Sequence, residues 1–481
     1  MTRLDRRYHQ LLLIILGLAL LGRLYHLTTP LADWHSFRQA DTASVAREFL
    51  KQGFDLRLPR YHDLSSLQSR LPNPQGLRLV EFPLINALVA LTYPSVQALT
   101  AWPLHVWYRF VTLLFSLGSI IFLYLIGRQL FNLRVGLITA AFMAFLPYSL
   151  YYSRTILPEI PSVCLALACL YFGLSVLKRP QAWRFGLITF TGALALLLKP
   201  TSLFLLLPLA VTAVFSLRRR PHLTPAWFFC LLAITLPLYF WRQWISYYPE
   251  GIPYAVWLYN GNGIRLRPAW FRWLFYERLT KLVLGSGLLP LFLIGLWSGI
   301  VAWRRLPSGL TSWFNFSLGL GTLAYLIVFA TGNVQHDYYQ IITLPFVCLI
   351  LAHGLDFILS TGSRPLRWLA LVSLGLGWFL SWRLVSGYYQ INHWSIVHAG
   401  QTVDRLTSPD ALVIAPYFGD TAFLYQTNRR GWPLGRFIDE KITDGADYYV
   451  TVNRDEEAND LRQRYPLVAE TEEYLILRLQ P

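Results

Sequence analysis

Apolar runs of about span length alternate with short polar breaks along most of this chain. A helix needs about 20 mainly apolar residues to cross a bilayer. Such runs fall at roughly 10–29, 104–127, 135–152, 157–177, 184–199, 201–217, 225–241, 283–302, 311–330, 341–360 and 367–386. The pattern predicts a polytopic α-helical membrane protein with about eleven spans. Lysine and arginine in short loops set orientation. Arg3, Arg6 and Arg7, then Arg128 and Arg134, Lys178 and Arg179, Arg218 to Arg220, Arg304 and Arg305, and Arg364 and Arg367 occupy alternate breaks. With these inside, the N-terminus is cytoplasmic. The segments 30–103, 153–156, 242–282, 331–340 and 387–481 then face outward.

Two outward segments are too long for turns, and long loops in compact proteins usually carry structure or function of their own. The first, about 30–103, predicts an opening surface helix. Ser36 and Gln39 fit a capping box, and Gly53 suits a helix end. Phe37, Ala40, Ser44 and Val45 give that helix a weak apolar side for lying in the interface. Pro72-Asn73-Pro74 and Glu81-Phe82-Pro83 read as turns. The tail from about 400 changes character. Ala411–Ala415, Tyr448–Val452 and Tyr474–Leu477 read as short strands, with a helix over 455–464. The expected domains are a membrane domain, 1–390, and a small extracytoplasmic α/β domain, 391–481.

Composition agrees with this reading. The chain has 481 residues, 54% hydrophobic and only 14% charged, against roughly 25% charged in soluble proteins. The net charge of +16 is spread over loops and gathers on no one soluble domain, which argues against a nucleic-acid partner. Cys164, Cys169, Cys230 and Cys348 lie in apolar segments and read as small buried hydrophobes. The basic, then apolar, N-terminus lacks a small-residue cleavage site after Leu21 and reads as a retained span.

The densest polar cluster opens the first loop, where Asp33, Arg38, Gln39 and Asp41 follow the first span closely. A carboxylate suits removal of a proton from an acceptor hydroxyl, so Asp33 and Asp41 are candidate bases; helix capping is the structural alternative. Arg38, Arg154, Lys199 and His336, with Tyr338 beside it, suit a departing lipid phosphate, whose negative charge cations stabilise. Lys199 stands alone between leucines and Pro200, and is either snorkelling or functional. Glu81, Glu159 and Asp337 are further acidic groups near these positions; Glu159 also complements a helix start. Trp257, Tyr259 and Trp270 suit either sugar stacking or an interfacial belt. The chain carries no P-loop, dinucleotide fingerprint, paired-histidine metal motif or nucleophile elbow. No feature requires a cofactor or metal, although a divalent cation is possible.

The order of these motifs resembles the GT-C class of polytopic glycosyltransferases. The likeness is to the branch of protein O-mannosyltransferases and lipid A aminoarabinose transferases, over roughly residues 1–360. The carriers are Ala43-Ser44-Val45-Ala46-Arg47-Glu48-Phe49, Glu81-Phe82-Pro83-Leu84, Ser153-Arg154 through Glu159, Leu198-Lys199-Pro200, and His336-Asp337-Tyr338-Tyr339 with Pro345. The family has an Asp-Glu pair in its first motif. Here Arg38-Gln39 fall at that place, with Asp41 one helical turn further on and Asp33 just outside the span. The resemblance implies inverting transfer of a sugar from a polyprenyl phosphate to a lipid, glycan or protein acceptor at the outer face of the plasma membrane. Asp41 or Asp33 would be the base. Arg38, Arg154, Lys199, His336 and Tyr338 would hold the phosphate, and Gln39, Glu81, Glu159 and Asp337 would shape the pocket. The alternatives are a transporter or lipid flippase, disfavoured by the absence of an internal repeat, and a non-catalytic protein presenting its tail domain.

Overall fold

The computed structural model describes residues 3–306 and 309–480. Helices dominate it, and a five-stranded sheet closes the chain. Among the described residues, eight helices are long and apolar enough to cross a membrane, so the chain is a multi-pass membrane protein. Three further apolar helices, Leu84–Thr100, Leu133–Phe145 and Ala182–Leu198, are shorter. The chain divides into two compact units. One is built from the chain up to Tyr25 with Val111–Arg242 and Ala255–Gly387, the other from His26–Phe110, Gln243–Tyr254 and Tyr388–Pro481.

In the first unit the apolar runs become packed helices, and the breaks have local causes. The expected run 135–152 is two helices, Leu133–Phe145 and Pro147–Tyr152. Pro147 has no N–H to continue the ladder, and buried Arg23 takes the released carbonyls. Its guanidinium donates to Ala144 O at 2.8 Å, Met143 O at 3.2 Å and Ser116 Oγ at 2.9 Å. Small residues let other helices approach closely. Gly295 on Leu289–Arg305 faces Gly354 on Leu344–Thr361, and a Cβ on either would strike the opposite backbone. Arg272–Val283 is a π-helix, a rare wide form that the apolar pattern did not predict. All four cysteines are free and buried.

The second unit joins the first loop to the tail. Its strands are β1 (Leu412–Ile414), β2 (Arg430–Trp432), β3 (Ala446–Thr451), β4 (Leu467–Glu470) and β5 (Leu475–Arg478), in the order β2-β1-β3-β5-β4. β1 pairs parallel with β2 and β3; β5 pairs antiparallel with β3 and β4. The three expected strands are β1, β3 and β5, and the expected helix is Glu456–Arg464, capped by the Asp455 side chain on Ala458 N at 2.9 Å. The loop extends the sheet beyond β2, where Leu64 N donates to Gly431 O at 2.8 Å and Gly431 N to His62 O at 2.9 Å.

Two expectations for the loop helix fail. Ser36–Gln52 is a helix and ends at Gly53, φ 90°, a value that glycine tolerates best. Its N-cap, however, is His35 in the left-handed region, with no side-chain cap bond. Ser36 is the first helical residue, and Gln39 turns to Asp33 instead of closing a capping box. Nor is it a surface helix. Ala40, Asp41, Arg47 and Glu48 are all buried, because its polar groups find partners in the rest of the loop and in the tail. A second loop helix, Leu84–Thr100, packs on it, with Asn86 Nδ2 donating to Thr42 O at 2.6 Å. It is too short for a span and holds an internal Pro94, so hydropathy missed it.

Candidate active site

The sequence-selected residues fall into two groups, one in each unit. In the second unit the helix Ser36–Gln52 carries Arg38, Gln39 and Asp41, with Asp33 just before it. Asp41 is buried and fully engaged. Its Oδ1 accepts from Thr421 Oγ1 at 2.6 Å, its Oδ2 accepts from Gln68 Nε2 at 2.9 Å, and Arg78 Nη2 pairs with it at 3.0 Å. Asp33 is as deeply placed. Its Oδ2 meets Arg109 Nη2 at 3.1 Å, and its Oδ1 accepts from Gln39 Nε2 at 3.0 Å. Arg38 pairs with Glu81 at 2.6 Å. Four of the chosen side chains therefore bind one another in two sets, Asp33 with Gln39 and Arg38 with Glu81.

Two carboxylates that hydropathy and motif spacing did not single out sit in the same unit. Asp63 is fully buried, accepts from Ser65 N at 2.8 Å and from the Tyr61 hydroxyl at 3.2 Å, and has no cation paired with it among the described residues. Burial, seconded by the nearby Asp41 charge, pushes its pKa up to about 7. Asp420 follows β1 and precedes the short helix Ala422–Gln426. Burial and the Asp41 carboxylate push its pKa up to about 6. His62, buried beside Asp63, is held well below the usual histidine range by burial and by Arg47 and Arg78. A lone aspartate in a loop carries no motif; only the tertiary fold marks these residues out.

In the first unit Arg154 is buried, while Lys199 and Arg278 are partly exposed and paired. Lys199 Nζ meets Glu159 Oε1 at 2.7 Å, and Glu159 is fully buried. The Lys199 ammonium also lies 5.8 Å from the Tyr339 ring. Arg154 is fully buried, its guanidinium 5.1 Å from the centre of the Tyr151 ring. Asp337 Oδ1 accepts from the Tyr152 hydroxyl at 2.5 Å, the Tyr148 hydroxyl donates to its backbone carbonyl at 2.7 Å, and Arg278 lies 3.8 Å from Oδ2. His336 sits among Trp257, Tyr338 and Tyr339 with ring centres 5.4 to 5.8 Å away. Trp270 is buried against Phe271 and Phe275, and Tyr259 stacks on Phe329. Sequence reading missed Tyr148, Tyr152 and Arg278 as partners of Asp337, because hydrogen bonds across the fold leave no local pattern. Among the described residues no group of three or more His, Cys, Asp or Glu side chains is placed to hold a metal ion.

Residues 84–244 match the family model described as dolichyl-phosphate-mannose-protein mannosyltransferase. The fold is shared with ArnT from Cupriavidus metallidurans, solved bound to undecaprenyl phosphate, at TM-score 0.67 and 12% identity over 97% of each chain. It is also shared with the oligosaccharyltransferase AglB from Archaeoglobus fulgidus, in complex with an inhibitory peptide and a dolichol-phosphate. There the TM-score is 0.57 at 12% identity, over 94% of this chain and 70% of that one. The family model covers only part of the chain, and the likeness to the two solved structures is one of fold.

Proposed function

We propose that the chain moves a sugar from a polyprenyl-phosphate donor to a lipid, glycan or protein acceptor on the extracytoplasmic side of the membrane, in one inverting displacement. The observation that carries this reading is where the family match falls. Residues 84–244 enclose Arg154, Glu159 and Lys199; Arg154 and Glu159 are fully buried charges, and Lys199 pairs with Glu159. Buried ionisable groups in membrane segments are costly and tend to be kept for function. The undecaprenyl phosphate in ArnT and the dolichol-phosphate in AglB support a lipid-phosphate donor. The alternation of basic loops supports the orientation, with the N-terminus cytoplasmic and the tail domain outside.

In this proposal Arg154, Lys199, His336 and Tyr338 hold the donor phosphate and stabilise the charge that grows on it as the sugar leaves. Glu159 fixes Lys199 by pairing with it, and Asp337 is held by Tyr152 and Arg278; in the second unit Glu81 pairs with Arg38 and Gln39 with Asp33. A carboxylate of the second unit takes the proton of the acceptor hydroxyl, and Asp41 and Asp33 stand nearest the family's first motif. A divalent cation is not needed for any of these roles.

The test is transfer of radiolabelled sugar from a panel of undecaprenyl-phosphate-linked hexoses and pentoses, in membranes of cells that natively make the chain. Labelled acceptor is expected with one donor of the panel, and Lys199→Ala or Arg154→Ala should lower transfer by about 10²-fold or more. If no donor gives product above membranes lacking the chain, the proposed reaction is wrong.

A further inference from the structure

Asp41 and Asp33 sit beside guanidinium groups and have donors on both carboxylate oxygens. That arrangement suits holding a geometry. A proton acceptor needs an oxygen that an incoming hydroxyl can reach. Asp420 has one. Its Oδ1 accepts from Ala422 N at 2.7 Å, and its Oδ2 makes no hydrogen bond or ion pair among the described residues. The residue is half-buried.

The sheet explains why a carboxylate stands there. β1 connects to β2 on one side, and the chain then crosses to β3 on the other side of β1. In open α/β sheets, ligands bind beyond the carboxyl ends of the strands where successive connections part in this way. The segment 415–421 leaves the carboxyl end of β1 at that place. It is a shaped loop. Phe418 and Gly419 are both left-handed, at φ 54° and 82°. Tyr417 N and Gly419 N both donate to Pro433 O at 3.2 Å, and Asp420 N donates to Tyr417 O at 2.8 Å. The next residue, Thr421, donates to Asp41 on the helix that bears the family's first motif. The tail domain thus presents a carboxylate beside that motif, where Arg38-Gln39 stand in place of an acidic pair.

We infer that Asp420 is the general base of this transferase and that Asp41 is a positioning residue acting on it through Thr421. The inference rests on the transfer reaction proposed above. The acceptor O–H breaks and its proton passes to Asp420 Oδ2. The acceptor oxygen forms a bond to the anomeric carbon as the bond from that carbon to the phosphate oxygen breaks. The bonding pair departs with the polyprenyl phosphate. The groups facing Asp420 are Asp41, His35 and Tyr417. Burial and the Asp41 charge raise its pKa to about 6, with His35 opposing, which leaves it mostly ionised yet a useful base near neutral pH.

The test uses the full chain in membranes, the undecaprenyl-phosphate sugar panel, and the variants Asp420→Asn and Asp420→Glu. Asparagine keeps the acceptor for Ala422 N, so the loop keeps its anchor. Asp420→Asn should lose about 10²- to 10⁴-fold in transfer, with unchanged Tm and unchanged binding of undecaprenyl phosphate. Asp420→Glu should retain part of the activity. The wild-type rate should rise with pH to a plateau above about 6, a limb missing from the residual activity of Asp420→Asn. Transfer by Asp420→Asn within about threefold of wild type overturns this inference and leaves the proposed function standing. So does a loss that comes with a lowered Tm or with lost undecaprenyl phosphate binding. A wild type that transfers nothing overturns both.

Discussion

In the helical unit, Lys199 meets Glu159 at 2.7 Å and Asp337 takes the Tyr152 hydroxyl at 2.5 Å. In the unit built from the first loop and the tail, Asp41 gathers Thr421, Gln68 and Arg78, while Asp63 and Asp420 form no ion pair among the described residues. Both units bury charge, and in the second, burial raises the pKa of Asp63 to about 7 and that of Asp420 to about 6. Apolar helices offer few donors, so a charge there is held by a partner or an aromatic face. A loop folded onto a sheet edge offers backbone N–H groups and hydroxyls, and these can keep a carboxyl buried without a cation. The first arrangement suits a fixed cradle for an anion. The second suits a group that gains and loses a proton.

The sharpest way to break this contrast is to remove one partner of the helical pair. Lys199→Met should leave the Glu159 carboxylate buried without its ammonium. Breaking a buried pair from one side costs about 3–5 kcal/mol. The drop should appear in the unfolding free energy measured in detergent. The double variant Lys199→Met/Glu159→Gln should recover most of it. A single variant as stable as wild type would show that this pair is not closed off from water as the structure has it.

Asp63 sharpens the other side through pH. Burial raises its folded pKa from 3.8 to about 7, so the folded chain prefers the neutral carboxyl. The stability it contributes is full below about pH 4, where both states are protonated. Between about pH 4 and 7 the unfolded chain binds fewer protons than the folded one. Stability then falls by roughly 1.4 kcal/mol per pH unit and is level above. Asp420 adds a slope of the same sign that ends near pH 6. Asp63→Asn should remove the fall between pH 6 and 7 in denaturant titrations. A slope unchanged by this variant would mean that Asp63 is ionised in the fold.

Much of the helical unit was legible because hydropathy is a local signal: each of the eleven apolar runs lies along a helix or, at 135–152 and 201–217, along two successive helices. In the tail, β1, β3 and β5 were readable from apolar runs, whereas β2 is the three residues Arg430-Gly431-Trp432 and has no strand pattern. The site was half legible. Lys199, Glu159, Arg154 and Asp337 stand out as charges in apolar surroundings. Asp420 and Asp63 do not, because loop aspartates are common and only tertiary contacts bury them. Thr421 and Asp41 are 380 residues apart in sequence. No spacing rule links such positions; the parallel strands and the loop bridge to β2 bring them together.

Asp41→Asn should have a smaller effect than the helical break. It removes the charge that meets Arg78 but keeps an oxygen for Thr421. Hydrogen bonds to charged groups contribute about 1.5–3 kcal/mol, so a loss within that range is expected in denaturant unfolding. Removing the Asp41 charge also takes away one of the influences that raise the pKa of Asp420 and Asp63. Both should titrate lower, and the pH slope of stability should shift to more acid values. A slope that stays in place would show that burial alone sets the two pKa values.

The least effect is expected where charges pair in water. Glu470 on β4 bonds Arg454 at 2.8 Å and Arg462 at 3.3 Å, and all three side chains are exposed. The two guanidinium groups, the hydrogen bond from Arg454 first, hold its carboxyl below the usual range. The Arg454 contact is nearly as short as the 2.7 Å of the Lys199 pair, and there are two cations instead of one. Solvent screens such pairs, however, and ordering long side chains offsets the attraction. Glu470→Gln should therefore leave Tm unchanged at physiological salt. If burial separates the two cases, the helical pair responds strongly and this exposed triad does not. A fall in Tm comparable to that of Lys199→Met would mean that pair geometry, and not exclusion of water, sets how much a charge contributes in this chain.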